Sequence, residues 1–175
     1  VVGVNWQVSL MPLRFLDGRG SGGVDKAIAA ILYAADHGAN IINASWGGGS
    51  YSQALKDAIE YASQRGVLFV AAAGNGHQGK GYNNDTDAKP AYPASYDMDN
   101  IISVAALDSS NNLGSFSNWG VKTVDIGAPG VKVFSTVPGN KYTDVALKID
   151  LLGIEANWDG TSMATPHVAG AAALY

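Results

Sequence analysis

Hydrophobic positions along the chain alternate between helix-like and strand-like patterns. Apolar residues recur at helical spacing over residues 27–35 and again over 54–62, and a glycine, Gly38 or Gly66, follows each run. Short, continuous apolar runs, typical of strands covered on both faces, lie between and after these helices: 40–45, 67–74 and 101–107. This alternation predicts an α/β fold with a mainly parallel sheet and right-handed crossovers.

The remaining segments have weaker patterns. Residues 8–16 predict a strand, in which Pro12 favours an edge position or a bulge. Three short β-like pieces are expected at 115–117, 124–126 and 131–134. Residues 146–152, ALKIDLL, fit either a short helix or a strand. Small apolar residues from Ser162 onward predict a buried helix. The first residue is not Met and the last helix has no cap, so we expect a domain that is incomplete at both ends.

Composition and charge exclude several classes of function. The chain has 175 residues, of which 47% are hydrophobic and 15% charged, and its net charge is −4 without a basic patch, so we expect no nucleic-acid partner. No apolar run approaches the length of a membrane span, and no membrane partner is expected. The absence of cysteine excludes a disulfide framework and thiolate metal sites.

Two glycine-rich motifs suggest a nucleotide site but lack necessary partners. Residues 18–23, GRGSGG, match G-x-G-x-x-G, yet the next strand offers no acid for a ribose about 20 residues on. Residues 74–81, GNGHQGKG, place Gly81 where a P-loop needs Ser or Thr, and no helix can follow. We therefore interpret both motifs as tight turns, and expect calorimetry to detect no nucleotide binding.

Ser162 carries the strongest candidate chemistry. It lies in DGTSMATPHVAG, residues 159–170, at a predicted helix N-terminus among small residues. The helix dipole there favours negative charge on oxygen, although a serine at this place can also be an N-cap. Asn75 ends the strand AAAGN, and ligands bind at such carboxyl ends. Its amide, together with the Ser162 N–H, can bind the oxyanion of a tetrahedral intermediate, whereas alone it would be a turn residue.

These motifs, in this order, resemble the subtilisin-like serine proteases over nearly the whole chain. The resemblance implies a three-layer αβα peptidase domain over residues 1–175, with Ser162 as nucleophile and Asn75 in the oxyanion hole. It implies these substrate-binding residues: Gly20, Ser21 and Gly22; Ser45, Trp46 and Gly47; and Ala72, Ala73, Gly74 and Ala91, with Ala91 at the base of the specificity pocket and Gly76 at its mouth. It also implies a cis Tyr92–Pro93 bond. Only residues 141–158 are longer than the resemblance predicts.

The family's Asp and His motifs are absent and are expected upstream of Val1. His167 follows Ser162 on one helix, about 140° around and about 7.5 Å along the axis, so it cannot reach the hydroxyl. It is expected to be a structural, hydrogen-bonded histidine; His37 should face solvent, and His77 is a weak candidate for a base.

The predicted function is therefore serine endopeptidase activity through an acyl-enzyme, on peptide or protein substrates and outside the cell. The alternative is an inactive fragment or pseudoenzyme that serves as a binding module. No catalytic cofactor is expected, but calcium is a common structural ion in this family. Four acids could bind it or form a solvated loop: Asp85, Asp87, Asp97 and Asp99. Exposed apolar edges predict that the isolated chain associates.

Overall fold

A computed structural model describes residues 3–137, 139, 141–149 and 154–175. Its elements in chain order are α1 Val24–Asp36, β1 Ile41–Ala44, α2 Gln53–Ser63, β2 Leu68–Ala72, β3 Ile101–Leu107, β4 Ile126–Pro129, β5 Ser135–Val137, β6 Lys141–Thr143, β7 Val145–Ile149, β8 Ile154–Asn157 and α3 Thr161–Ala172. Within these ranges, no helix combines the length and apolarity that crossing a membrane requires.

Strands β1 to β4 form one parallel sheet in the order β1-β2-β3-β4, which confirms the predicted parallel α/β architecture. In its register, Ala44 pairs with Ala71, and Ala72 pairs with Val104. All four carboxyl ends therefore lie at one edge of the sheet. Two candidate site residues, Ser45 and Asn75, lie in the segments that follow β1 and β2 at this edge.

Helices cover both faces of the sheet. Along β2, Phe69 and Ala71 pack in a cluster with buried residues of α1 and α2, such as Ile31 and Ile59. The intervening Val70 packs in a second cluster, with Ala164 of α3. Because successive side chains of a strand point to opposite faces, this division places α1 and α2 on one side and α3 on the other. The layers are therefore αβα, as the family resemblance implies.

The strand predicted at 8–16 is wrong. These residues run without strand pairing, and the side chain of Leu10 is 87% exposed. The apolar pattern fits a strand, but a strand also requires a hydrogen-bonding neighbour, and no described segment pairs with residues 8–16. Before this segment, Asn5 Nδ2 donates to the carbonyl of Ala173 at 2.7 Å, so the start of the described chain packs beside the end of α3.

The three short β-like pieces are misplaced. Residues 115–117 form a turn, in which the Ser117 hydroxyl accepts a hydrogen bond from the Ala106 N–H at 2.9 Å. The next two pieces shift toward the C-terminus and become β4 and β5, since strand boundaries follow their partners, here β3 and β6. Of the ambiguous segment 146–152, residues up to 149 belong to β7, which pairs with β8, and 150–152 lie outside the described residues.

Asp85 joins its own loop to residues 121–123, which precede β4. Its carboxylate accepts hydrogen bonds from the Thr123 hydroxyl and N–H and from the N–H groups of Val121 and Lys122, at 2.7–3.1 Å. These bonds, the Thr123 hydroxyl first, hold the pKa of Asp85 below its ordinary value. Backbone N–H groups likewise lower the pKa values of Asp17 and Asp108.

We expect the melting temperature to fall as the pH drops below about 4. A lowered folded-state pKa contributes stability that is complete above the unfolded-state pKa of about 3.9 and is lost as the pH falls through the folded-state value. Asp85→Asn should melt at a lower temperature at pH 7 but lose less on acidification. Circular dichroism melts from pH 7 to pH 2 test this. If the melting temperatures of the wild type and Asp85→Asn fell in parallel with pH, the prediction would be contradicted.

Candidate active site

Ser162 lies in the first turn of α3, which contacts the segments that follow β1 and β4. Gly160 precedes the helix, and its N–H donates to the carbonyl of Gly130 after β4 at 2.8 Å. The hydroxyl of Ser45, just after β1, donates to the carbonyl of Ser162 at 2.9 Å. The serine is thus fixed to both β1 and β4 at the carboxyl edge of the sheet. Ser162 is half-buried and lines a cavity.

Asn75 is oriented by Thr161, a residue that the sequence analysis did not single out. Both the N–H and the hydroxyl of Thr161 donate to Asn75 Oδ1 at 2.9 Å. A backbone N–H can only donate, so Oδ1 must face Thr161 and Nδ2 must point away from it. The Thr161 hydroxyl also accepts from the Gly74 N–H at 3.2 Å. Thr161 is 1% exposed and therefore acts as a buried connection between α3 and the end of β2.

The Asn75 amide and the Ser162 N–H border the same small space. A Cβ added to Gly160 would lie 3.4 Å from Asn75 Nδ2 and 3.6 Å from Ser162 N, with no contact closer than 3.4 Å. The same position is 3.4 Å from Met163 Sδ, and because residue 160 has no side chain, it places no atom in the space that the two N–H groups border. This space has two N–H donors at a helix N-terminus, where the helix dipole adds positive potential. Such an arrangement stabilises an oxygen that gains negative charge during a reaction.

The predicted binding segments 20–22 and 45–47 are close to each other. Asp17 Oδ1 accepts from the N–H groups of Arg19 and Ser21 at 2.8 and 3.0 Å, which closes the turn that presents residues 20–22. The aromatic ring of Phe15, just before this turn, contacts the ring of Trp46 edge-on at 5.2 Å between centroids. The two segments therefore belong to one surface.

The residues of the predicted specificity pocket contact one another and carry no charge. A Cβ added to Gly74 would lie 2.9 Å from the Cβ of Ala91, so the backbone of residue 74 directly contacts the predicted base. On the other side, the Gly48 N–H donates to the carbonyl of Tyr92 at 3.2 Å, and the Tyr92–Pro93 bond is cis as expected. The structure thus brings the ends of β1 and β2 together with residues 91–93.

A cavity of about 520 Å³ lies beside Ser162 and is lined mostly by apolar side chains. Its lining includes Phe134, Trp158, Met163 and Pro166. Met163 and Pro166 belong to the motif 159–170, but Phe134 and Trp158 could not be placed here from the sequence, because their proximity to Ser162 depends on how the segment after β4 returns to α3. The cavity leaves room for another group to approach Ser162.

None of the three histidines hydrogen-bonds Ser162 in the described part of the chain. His167 Nδ1 lies 2.9 Å from the carbonyl of Met163, so its ring is held along the helix as predicted. His37 is exposed, and its ring stacks on Tyr33. His77 is exposed in the loop after Asn75. The described residues also contain no group of three or more histidines and acids that could hold a metal ion, and the calcium expectation remains a prediction.

Comparisons with known proteins identify the family of this chain. The model of the subtilase family, Peptidase_S8, matches residues 1–175. Subtilisin DY of Bacillus licheniformis is 42% identical over 99% of this chain and 56% of its own length. Thermitase of Thermoactinomyces vulgaris is 39% identical over 99% of this chain and 53% of its own length. The chain thus spans about half the length of these relatives.

A solved structure is similar in fold as well. The prenylagaramide maturation protease PagA superposes with a TM-score of 0.69 at 30% sequence identity. The match covers 90% of this chain and 50% of PagA. Similarity over nearly all of this chain, in both sequence and structure, assigns the family.

Proposed function

This chain belongs to the subtilase family of serine proteases, and from that premise we propose that it carries the nucleophile, the oxyanion hole and the binding cleft of a serine endopeptidase. The observation that supports this most directly is that Asn75 Nδ2 and the Ser162 N–H border the same space beside Gly160. A serine at the N-cap uses its side-chain oxygen to accept a hydrogen bond from the helix, but the N-cap of α3 is Gly160. Ser162 is therefore not the cap, and two N–H donors near it suit acyl transfer.

In the proposed reaction, Ser162 Oγ attacks the carbonyl carbon of the scissile peptide bond. A base removes the hydroxyl proton, and the carbonyl oxygen becomes an oxyanion that accepts hydrogen bonds from Asn75 Nδ2 and the Ser162 N–H. The C–N bond then breaks, the base returns the proton to the leaving amine, and an ester on Ser162 remains. In the second step, the base takes a proton from water as the water attacks the ester, and returns it to Ser162 Oγ as the ester bond breaks.

The base is proposed to be a histidine, oriented by an aspartate, from residues outside these 175. In this chain His167 is held by the Met163 carbonyl and His37 by stacking, so neither is free to serve Ser162. The apolar cavity beside Ser162 offers space for such a group. A polypeptide that contains both this chain and those residues is the whole protein.

A non-enzymatic binding module is the second candidate, and the lack of a histidine at Ser162 in the described residues favours it. Two observations distinguish the candidates. An active protease has Asp and His motifs upstream and is inactivated by Ser162→Ala, whereas a binding module loses no peptidase activity on that substitution. Peptide or protein substrates and an extracellular location are proposed for the whole protein on the basis of its family.

The whole protein should prefer large apolar residues immediately before the scissile bond. The proposed pocket walls are Ala72–Gly74 and Ser45–Gly47, its base is Ala91, and none of these residues is charged. A cationic side chain would therefore lose its hydration without gaining a partner. Profiling with a peptide library, with Ser162→Ala as the blank, measures this preference. Strong selection for Arg or Lys at that position would refute the proposed pocket, and equal cleavage by the blank would refute the proposed nucleophile.

A further inference from the structure

Two buried asparagines lie beneath the end of β2, outside the proposed catalytic residues. Asn84 is 4% exposed and Asn118 is 2% exposed. They come from loops that are 34 residues apart in sequence, and Asn118 Nδ2 donates to Asn84 Oδ1 at 3.0 Å. Buried amides are costly unless their polar atoms are satisfied, so the partners of this pair reveal what it holds in place.

The pair bonds the backbone at one wall and at the base of the proposed pocket. Asn84 Nδ2 donates to the carbonyl of Ala73 at 2.9 Å, and Asn84 Oδ1 accepts from the Ala91 N–H at 3.3 Å. Asn118 Oδ1 accepts from the Tyr82 N–H at 2.9 Å. These are links to the end of β2, to the predicted pocket base and to the loop between them. Each side-chain oxygen and nitrogen of the pair therefore has a partner.

Asn118 also packs directly against the residue that precedes Asn75. Its N–H donates to the carbonyl of Gly74 at 2.8 Å. A Cβ added to Gly74 would lie only 2.6 Å from Asn118 Nδ2. The two residues are thus in contact through both backbone and side chain, and no side chain fits at residue 74, whose φ is +103°. A displacement of the Asn118 amide would be transmitted to Asn75.

We propose that Asn84 and Asn118 are positioning residues, which fix the proposed oxyanion donor Asn75 relative to the proposed pocket base Ala91. The proposal rests on the proposed protease function, since it assigns the pair an effect on that reaction. Neither side chain touches the Ser162 hydroxyl in the described structure, and their effect is exerted through Ala73, Gly74 and Ala91. An apolar pair could fill the same volume, but it could not bond the backbone at these points.

The first test compares Asn118→Ala with Asn100→Ala in the whole protein. Asn100 is a suitable control because its Nδ2 donates to the carbonyl of Val67 at 3.1 Å, at the opposite edge of the sheet. We expect Asn118→Ala to lower kcat/KM by up to about 10²-fold, mainly in kcat, because a misplacement of about 1 Å has that effect on a reaction. The loss should be larger for Phe than for Ala before the scissile bond. Asn100→Ala should lower the melting temperature but leave kcat and KM unchanged.

The second test uses Asn84→Asp, which keeps the shape of the side chain. An ionised carboxylate cannot donate to the Ala73 carbonyl, whereas a protonated carboxyl group can, and burial favours the protonated form. We expect the kcat/KM of this variant, divided by that of the wild type, to rise as the pH falls from 9 to 5. The ratio cancels the titration of the catalytic base, which both proteins share. A role limited to stability predicts a flat ratio for folded protein.

The outcomes separate this inference from the proposed function. If the wild-type whole protein cleaves peptides through Ser162 but both variants match it in kcat, in substrate preference and in pH profile, the positioning role is wrong and the protease function stands. If Asn118→Ala does not fold, the pH dependence of Asn84→Asp decides alone. If the wild type itself lacks Ser162-dependent cleavage, the proposed function and the positioning role both fail.

Discussion

Replacing Asn75 with leucine is expected to lower kcat of the whole protein by about 10²–10³-fold while leaving KM nearly unchanged. The magnitude is the one known for the loss of an oxyanion-hole amide in subtilisin, a member of this family, and it is adopted rather than calculated. The split between kcat and KM follows from the geometry. The hydrogen bond from Nδ2 strengthens when the substrate oxygen becomes negative, so its loss raises the transition state more than the bound ground state.

Leucine also removes the Oδ1 atom that accepts from Thr161, and this structural effect must be separated from the catalytic one. Asn75→Asp is the matched variant, because a carboxylate keeps an acceptor for Thr161 but supplies no donor to the oxyanion. If the amide donor is what matters, Asn75→Asp is at least as impaired as Asn75→Leu. Recovery of activity in Asn75→Asp, or a loss confined to KM, would instead identify Asn75 as a turn residue.

The central sheet and its flanking helices could be predicted from the sequence because their signals are local. Buried parallel strands such as β2 are continuous apolar runs, and helices such as α2 repeat apolar residues at helical spacing. The strand predicted at 8–16 was wrong for a non-local reason. Its residues have the correct pattern, but strand formation depends on a partner, and in the described structure none pairs with them.

The candidate site was predictable only in part, for a similar reason. Ser162 and Asn75 belong to motifs with a recognisable order, and the structure places Asn75 in contact with Thr161, beside Ser162. The orienting role of Thr161 depends on the side-chain conformation of Asn75, which no sequence pattern encodes. Asn84 and Asn118 each look like ordinary loop residues, and their pairing exists only after the two loops fold over the end of β2.

The isolated 175-residue chain should show no measurable peptidase activity and little labelling by a fluorophosphonate probe. Both reactions require removal of the Ser162 hydroxyl proton, and a serine without a base keeps the high pKa of an alcohol. Sites that lack a triad member retain at most about 10³–10⁴-fold acceleration over the reaction in water, through the oxyanion hole and substrate binding. The whole protein should be labelled stoichiometrically, at Ser162.

Labelling of the isolated chain is informative because the probe needs an activated serine but no extended substrate. The proposed oxyanion donors, Asn75 and the Ser162 N–H, belong to this chain, so a lack of labelling reports on the absence of the proposed base. Gel filtration and mass spectrometry must accompany the assay, since residues such as Leu10 and Trp6 are largely exposed and favour association.

Rapid, stoichiometric labelling would show that a base within the chain activates Ser162. His77 would then be the first residue to replace, because His167 is held by Met163 and His37 is stacked on Tyr33.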